Sequence, residues 1–402
     1  MALASLSESM IKSGPQSTEL LPESFAVHQH TKAIVDLRKA IRENDDSSPE
    51  IVFVTCALFI CFEIFQGRHE SALSHMSSGI FFLINWTSKY FSNDPIMKNK
   101  ANNNSSTIFV QLQKIFRRLM LQTILFVQTK PQEWKFITPA FTPDLPHITL
   151  AFKSIDEARD CLDSCMCFLY HRVLTSRFQG LENNEIEDLT NDASSETPSN
   201  PLNEWSSSFR DFMEKEKQKF SAGELNAARL LEIQNITASI LSCAGPSSQE
   251  SAFDAFEHHF RLIITLASEV IAEVRQDNDP PTFPSIDMGI LPHLYFAASR
   301  CRHPSTRRQA LHLLRDGPMQ EGIWHRDVLA SIAEQIILMK EMNCQGASSS
   351  SDIPASARLS VINATIDLTQ RTVILYCCRQ QLDKDGRSSV IHEAVIHELI
   401  YY

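Results

Sequence analysis

The sequence predicts an all-α protein made of stacked antiparallel helix hairpins, with a small C-terminal β-hairpin. Three stretches support this fold class. Residues 51–86 contain two apolar segments on either side of Gly67. Residues 253–274 carry apolar side chains at spacings of three and four, which is typical of a one-sided helix. Residues 359–378 instead alternate and are rich in β-branched types, which favours paired strands.

The hairpin at residues 51–86 is the strongest of these signals. Between Ile51 and Phe62 only Thr55 is polar, so this helix is predicted to be buried on all sides. Gly67 stands where a left-handed cap would end it, because glycine enters that conformation without a Cβ clash. Leu58→Asp is therefore expected to cost at least about 2–5 kcal/mol and to abolish folding. The second helix has a single apolar face, formed by Ala72, Met76, Gly79, Leu83 and Trp86.

Further helices are predicted on both sides of this hairpin. Residues 23–42 form an amphipathic helix with an apolar face of Ala26, His30, Ala33, Ile34, Leu37 and Ile41. Residues 107–128 form another, with inward side chains Ile108, Leu112, Ile115, Leu119 and Ile124. Ser154 and Glu157 form a capping box that opens a helix reaching about residue 179. Prolines between residues 130 and 150 predict an extended crossing.

The C-terminal part continues the helical pattern and then changes period. Helices are predicted at 202–220, 225–243, 251–275, 289–300, 304–314 and 324–342. The β-hairpin turns at residues 367–370, and the tail from Ser388 fits either helix or strand.

Composition divides the chain into five segments. Residues 182–200 contain no lysine or arginine, which favours a solvated linker over an acidic activation segment, since interleaved aromatic side chains are missing. The predicted segments are a disordered arm (1–22), an N-terminal helical half (23–181), an acidic linker (182–203), a C-terminal helical half (204–345), and a flexible spacer, β-hairpin and tail (346–402).

Charge and hydrophobicity restrict the function classes. The net charge of -11 disfavours autonomous DNA binding, which depends on cations that displace phosphate counterions. The N-terminus lacks the apolar core of a secretory signal, and the longest apolar run falls short of the ~20 residues that span a bilayer. We therefore expect a nuclear or cytoplasmic protein without membrane association. Its ten cysteines are then expected to be buried thiols.

Several clusters of cysteine or histidine are candidates for metal or catalytic sites. His392 and His397 are one residue too far apart for the zinc-protease HExxH motif. Cys161, Cys165 and Cys167 lack a second cluster to complete four ligands, so packed thiols are favoured. Cys377 and Cys378 are adjacent on a predicted strand and point to opposite faces.

The remaining histidines and one basic cluster have two interpretations each. His69 and His75 beside the hairpin, and the pair His258–His259, are either metal ligands or packed side chains; we favour packing. The basic cluster either contacts an acidic partner or, as we favour, forms the hydrated face of two short helices. Its members are Arg300, Arg302, His303, Arg307 and Arg308. We expect no catalytic, cofactor-binding or metal-binding residue.

Two stretches resemble the C-terminal regulatory region of fungal transcription factors of the binuclear six-cysteine zinc-cluster family. The first comprises residues 28–41 (HQHTKAIVDLRKAI) and 55–80 (TCALFICFEIFQGRHESALSHMSSGI). The second is residues 291–336, which begin LPHLYFAASRCRHPSTRRQALHLL. A weaker resemblance at 250–260 lies between them, and the whole covers roughly residues 25–380.

The resemblance implies an all-helical, non-enzymatic regulator of transcription, often of a pathway such as a secondary-metabolite gene cluster. Such a region follows a DNA-reading zinc cluster with cysteine pairs separated by two residues. No pair in this chain has that spacing, and residues 1–27 contain no cysteine. We therefore expect either a regulator that acts through protein partners or the product of a shortened gene. The alternative is a cytosolic helical scaffold or a small-molecule-sensing module.

Overall fold

A computed structural model describes most of the chain, and every structural statement below concerns the residues that it describes. These are residues 21–42, 49–66, 68, 71–72, 74–82, 105–126, 148, 151–183, 200–244, 250–276, 287–342, 344, 346–354, 357, 359–367, 372–382 and 388–398. The predicted fold class is confirmed, since packed helices dominate and a small antiparallel sheet lies near the C-terminus.

The chain forms two compact units. The first includes Met1–Thr123, and the second includes Thr142–Pro280 and Met288–Tyr402. The helices of the first part are α1 (Leu21–Arg42), α2 (Pro49–Phe65), α3 (74–82) and α4 (Ser105–Phe126). Those that follow are α5 (Ile155–Asn183), α6 (Pro201–Glu216), α7 (Ala222–Ala244), α8 (Glu257–Gln276), α9 (Leu291–Arg300), α10 (Pro304–Asp316) and α11 (Arg326–Glu341). Short 3-10 helices occupy Lys217–Lys219, Glu250–Phe256 and Ser350–Asp352.

Helices α2 and α3 form the predicted antiparallel hairpin. Two ring contacts show that the helices are antiparallel. Phe53, near the start of α2, lies 5.3 Å from Phe82 at the end of α3, and Phe59, further along α2, lies 5.5 Å from His75 at the start of α3, between ring centroids. Helix α2 ends with a bond from the Arg68 N–H to a carbonyl five residues earlier at 2.9 Å, the 6→1 bond of a Schellman motif. Gly67, where the sequence places the cap, lies outside the described residues.

The prediction that α2 is buried on all sides is wrong. Ile51, Val54 and Leu58 are 57%, 40% and 48% exposed and share one face, whereas Phe53 and Ile60 are almost fully buried. The helix packs against its neighbours on one side only. Because nearly every residue in it is apolar, its sequence carries no periodic signal that could identify that side.

Leu58→Asp is now expected to change the free energy of unfolding by less than about 1 kcal/mol, because the carboxylate can reach water at this position. Ile60→Asp on the same helix is the matched comparison. Ile60 is 1% exposed, so its replacement buries a charge and should cost more than about 3 kcal/mol. Thermal unfolding of both variants measures the difference, and equal losses would contradict the orientation of α2.

Helix α4 packs its aromatic side against this hairpin. Phe116 is fully buried and lies 6.0 Å from Phe53 between ring centroids. Gly79 of α3 makes this approach possible, since a Cβ there would stand 2.6 Å from the Phe116 ring. Leu112 and Leu119 point inward as predicted, but Ile115 is 39% exposed, so its predicted orientation is wrong. The side chains of Ile108 and Ile124 lie outside the described set.

The second unit joins helices from both sides of the acidic stretch. Trp205 of α6 is buried and donates a hydrogen bond from Nε1 to the Ala158 carbonyl of α5 at 2.8 Å. The second unit therefore contains helices from both sides of residues 182–203. Residues 184–199 lie outside the described residues, so the linker itself stays a prediction.

Helix α5 opens close to the predicted capping box. Ser154 Oγ accepts the Glu157 N–H at 3.2 Å, as that motif requires. The Glu157 carboxylate accepts the N–H of Lys153 at 2.8 Å, one residue before the predicted donor. Both bonds satisfy backbone groups at the start of the helix.

Strands β1 (Gln320–Glu321) and β2 (Trp324–His325) form a minimal hairpin that turns through Gly322, where φ is 55°. Strands β3 (Ser360–Asp367), β4 (Thr372–Leu382) and β5 (Ser388–Glu398) form an antiparallel sheet in the order β3-β4-β5. The predicted β-hairpin is confirmed, and the ambiguous tail supplies the third strand. Alternate residues of β4 pack against α11 in one apolar cluster, whose members include Val328, Ile332, Ile336, Met339, Val373, Leu375 and Cys377.

Among the described residues, no helix combines the length and the apolar character needed to cross a lipid bilayer.

Candidate functional site

The first candidate site is a buried group of two histidines and one glutamate, named here the His–Glu cluster (His30, Glu63 and His75). Each member comes from a different helix: α1, the last turn of α2, and the start of α3. The antiparallel hairpin brings the last two together near its hinge. The ring of His30 stacks on Phe62 at 4.1 Å between centroids, which fixes α1 against the hairpin.

The polar atoms of this cluster converge on one point. Glu63 Oε1 lies 3.7 Å from His30 Nε2 and 3.9 Å from His75 Nε2. One such atom from each of the three residues falls within 4.8 Å of the others. The side chains of His30 and Glu63 are each 6% exposed, and that of His75 is 27% exposed, so one edge reaches solvent.

Burial disfavours the charged form of each member of the cluster. It is the main cause that lowers the pKa of His30 to about 4, and His75 and Arg68 add repulsion. The pKa of His75 is lowered mainly by burial, while burial raises that of Glu63 against the attraction of Arg68. His30 Nε2 and Glu63 Oε2 have no hydrogen-bond partner among the described residues. Neutral imidazoles bind transition metals through a ring nitrogen, and a carboxyl group binds them in its deprotonated form.

Sequence reasoning recognised only part of this cluster. The sequence marks His75 as a candidate ligand and places His30 on an apolar face, but no motif includes Glu63. A signal was present, because Glu63 is the one charged residue between positions 51 and 66. A charge inside an otherwise apolar segment needs a partner when that segment folds.

The second feature is a buried charge network in the second unit, formed by Glu250, Arg300, Lys340, Arg307 and Glu341. Arg300 pairs with Glu250, whose other oxygen lies 3.6 Å from Lys340 Nζ. Lys340 also donates a hydrogen bond to the Ser299 carbonyl at 2.6 Å. Burial lowers the pKa of Lys340 to about 8, although Glu250 opposes the shift. These pairs tie the 3-10 helix at Glu250–Phe256 to α9 and α11.

Arg307 is the most deeply buried charge of this network. Its side chain is fully buried and lies 3.0 Å from Glu341 Oε1, which comes from α11. Arg308 also pairs with Glu341 but stays 51% exposed. Arg302 donates hydrogen bonds to Asp254 and to the Ile353 carbonyl, both at 3.0 Å.

The prediction that the basic cluster forms a hydrated helix face is therefore wrong for Arg300 and Arg307, and it holds for Arg308. His303 accepts the Thr306 N–H at Nδ1 and caps α10. Arg300 and Arg307 form ion pairs inside the second unit, with acidic side chains that are distant in sequence.

A buried carboxylate also lies at the start of α9. Glu321 Oε2 accepts the Leu291 N–H at 2.8 Å, where a helix N-terminus favours negative charge. Burial raises the pKa of Glu321 to about 7, against backbone bonds from residues 289–291 that lower it. Gly289 makes room for this group, since a Cβ there would stand 2.1 Å from Glu321 Oε1.

The other candidates from the sequence do not converge on a shared site among the described residues. Cys165 is buried, and its hydrogen bond with Cys161 together with burial raises its thiol pKa. The rings of His258 and His259 contact each other at 6.0 Å. His392 and His397 lie on β5, opposite Cys378 and Val373 in the register. His69 and the side chain of Cys378 lie outside the described residues. The His–Glu cluster is the group of described residues in which three metal-binding atoms meet.

A separate buried histidine makes stability depend on pH. His293 of α9 is 1% exposed, lies 2.9 Å from Thr237 Oγ1 through Nδ1, and has its pKa lowered to about 3 by burial. Below pH 6.5 the unfolded chain binds a proton that the folded chain does not bind. The free energy of unfolding therefore falls as pH falls from 6.5 towards 3, by about 1.4 kcal/mol per pH unit.

His293→Asn keeps a polar atom near Thr237 and removes this titration. We expect urea unfolding of the variant to show a slope against pH that is flatter by about 1.4 kcal/mol per unit between about pH 4 and pH 6. His312→Asn is the control, because that side chain is 76% exposed. Parallel pH curves for His293→Asn and the unsubstituted chain would contradict the assignment.

Comparison with known proteins gives one distant similarity. The chain is 20% identical over 434 aligned positions to the aspercryptin biosynthesis cluster-specific transcription regulator atnN of Emericella nidulans. The alignment covers 88% of this chain and 69% of that protein. No protein-family model and no solved structure matches.

Proposed function

We propose that this chain is a nuclear, non-enzymatic regulator of transcription of the fungal zinc-cluster type, specific for one pathway, such as a secondary-metabolite gene cluster. The similarity to a cluster-specific regulator over 88% of the chain carries this proposal. The resemblance of residues 28–41, 55–80 and 291–336 to the regulatory region of that family points in the same direction. A small-molecule effector would fit such a role.

We further propose that the chain reaches DNA through a protein partner, either a DNA-binding regulator or the transcription machinery. The net charge of -11 and the lack of cysteine pairs separated by two residues support this part. The basic cluster supports it as well, because Arg300, Arg302 and Arg307 form ion pairs within the second unit. Guanidinium groups paired in this way do not offer a surface for phosphates.

A tethering experiment tests the regulatory role. The full chain is fused to a heterologous DNA-binding domain in a fungal host, and a reporter behind the matching operator is measured under several growth conditions. We expect the reporter to change at least severalfold under one condition. The DNA-binding domain alone is the baseline, and His312→Ala is a control for surface substitution.

An unchanged reporter, with the fusion present in the nucleus at normal abundance, would contradict the regulatory role. A gel-shift assay with the purified chain and promoter DNA of the host tests the requirement for a partner. We expect no shifted band at physiological salt, and a sequence-specific complex would overturn that part. Turnover of a pathway intermediate by the purified chain would contradict the non-enzymatic part.

A further inference from the structure

We propose that His30, Glu63 and His75 bind one Zn²⁺ ion, through two imidazole nitrogens and one carboxylate oxygen, with water in the remaining position. This inference is independent of the proposed role in transcription. It concerns the first unit alone, where helices α1, α2 and α3 each supply one ligand.

The geometry needs only a small contraction to bind the metal. Ligand atoms lie about 2.0–2.2 Å from zinc, so neighbouring ligands of a tetrahedral ion are about 3.3 Å apart. Glu63 Oε1 lies 3.7 Å and 3.9 Å from the two Nε2 atoms. All three ligand atoms lie within 4.8 Å of one another, so side-chain rotations that move them by up to about 1 Å bring them to bonding positions.

The burial of polar atoms without partners is the second observation. His30 and Glu63 have side chains that are 94% buried, because each is 6% exposed, and both are directed into the cluster. His30 Nε2 has no hydrogen-bond partner among the described residues. Polar atoms removed from water without a partner destabilise a fold. A bound cation satisfies the imidazole nitrogen and compensates the carboxylate at the same time.

Arg68 acts as a positioning residue for this carboxylate. Its Nη1 lies 3.9 Å from Glu63 Oε2, whereas the two histidines contact Oε1, and its side chain is 48% exposed. Oε1 is thereby left for the metal, while Oε2 is oriented by the guanidinium. Metal-bound carboxylates are commonly held in this way by an outer partner.

The ligand types favour zinc among the divalent ions. Imidazole nitrogens suit zinc and other first-row transition metals, whereas Mg²⁺ and Ca²⁺ prefer oxygen ligands. No thiolate belongs to the set, which separates this site from the cysteine-based zinc cluster of DNA-reading proteins. The partly exposed edge at His75 gives the ion a route from solvent.

Titration of the full chain with zinc tests the proposal. Metal-free protein is prepared with a chelator and titrated with ZnCl₂ by calorimetry, and Co²⁺ serves as a spectroscopic substitute. We expect one equivalent to bind with micromolar or tighter affinity and the melting temperature to rise. The Co²⁺ complex should lack the thiolate-to-metal charge-transfer band that binding by cysteines would produce.

Substitution of single ligands provides the controls. His75→Ala, at a partly exposed position, should lower the affinity at least tenfold, while His312→Ala in the second unit should leave it unchanged. Glu63→Gln keeps the shape of the side chain and should also weaken binding at least tenfold. Circular dichroism verifies the fold of each variant.

Three results would overturn the site: no saturable binding, a charge-transfer band from thiolates, or an unchanged affinity in a folded ligand variant. If His75→Ala fails to fold, the result for Glu63→Gln decides. If neither variant folds, the Co²⁺ spectrum of the unsubstituted chain decides between the His–Glu cluster and the cysteines.

Discussion

Replacement of Glu341 by alanine is expected to lower the free energy of unfolding of the second unit by about 3–5 kcal/mol. The reason is Arg307, whose side chain is fully buried and whose guanidinium lies 3.0 Å from Glu341 Oε1. Without that carboxylate an uncompensated charge stays in the core. Thermal and urea unfolding of the purified chain measure the loss.

Two further variants separate this effect from the loss of an exposed ion pair. Arg308 is the other partner of Glu341, and its side chain is 51% exposed. Arg308→Ala should therefore lower the free energy of unfolding by less than about 1 kcal/mol. The double substitution Arg307→Leu with Glu341→Ala should recover most of the stability, because a buried ion pair can be replaced by apolar side chains at little cost. If the double variant is as unstable as Glu341→Ala, the unpaired Arg307 guanidinium is not the cause of the loss in stability.

Gly289→Ala is expected to cost about 3 kcal/mol or more. The new Cβ would stand 2.1 Å from Glu321 Oε1 and 2.3 Å from Cδ, so the carboxylate must leave the N-terminus of α9. Overpacking of this kind costs about 1–3 kcal/mol, and the loss of a charge-assisted hydrogen bond to the Leu291 N–H adds a similar amount. The melting temperature of the variant measures the sum.

The clash with Glu321 can be tested by removing it. Glu321→Ala in the Gly289→Ala background should restore part of the stability, so the two losses should not add. Gly223→Ala is the matched control, because a Cβ at Gly223 meets nothing within 4 Å. A loss for Gly223→Ala as large as that for Gly289→Ala would indicate a backbone effect of alanine and contradict the clash.

Local patterns predicted the helices and the hairpins well. The change from a helical period to strict alternation located β3 and β4, because strands place successive side chains on opposite faces. The contrast between an apolar and a polar face likewise placed His30 on the inner side of α1, where it is 5% exposed. Such predictions succeed because the contrast between an apolar and a polar face depends only on residues that are close in sequence.

Orientation could not be predicted where that contrast is missing. Leu58 lies in α2, where most residues are apolar, so only contacts with distant helices decide which face is exposed. Ile115 in α4 has Lys114 beside it and Gln111 and Arg118 one turn away, so it lies at the edge of the apolar face, where it is 39% exposed. The sequence likewise does not indicate that Phe116 packs against Gly79, because that contact joins two different helices. Tertiary packing determines these outcomes.

Buried charges were the larger omission. Arg300 and Glu250 are 50 positions apart, and Glu321 lies 30 positions from the backbone N–H that it binds. A charged residue is predicted to face water unless its partner is known, and no short-range spacing reveals partners at such distances. Glu63 is the exception, because its apolar neighbours already mark it as unusual.

The apolar cluster shared by β4 and α11 has a consequence at the level of the gene. Val373, Leu375 and Cys377 pack against Val328, Ile332, Ile336 and Met339, so strand β4 completes a core that begins much earlier in the chain. A premature stop codon before residue 359 would leave these side chains of α11 uncovered, and cellular proteases remove such products. Nonsense and frameshift alleles shortly before codon 359 should therefore be as severe as those before α11.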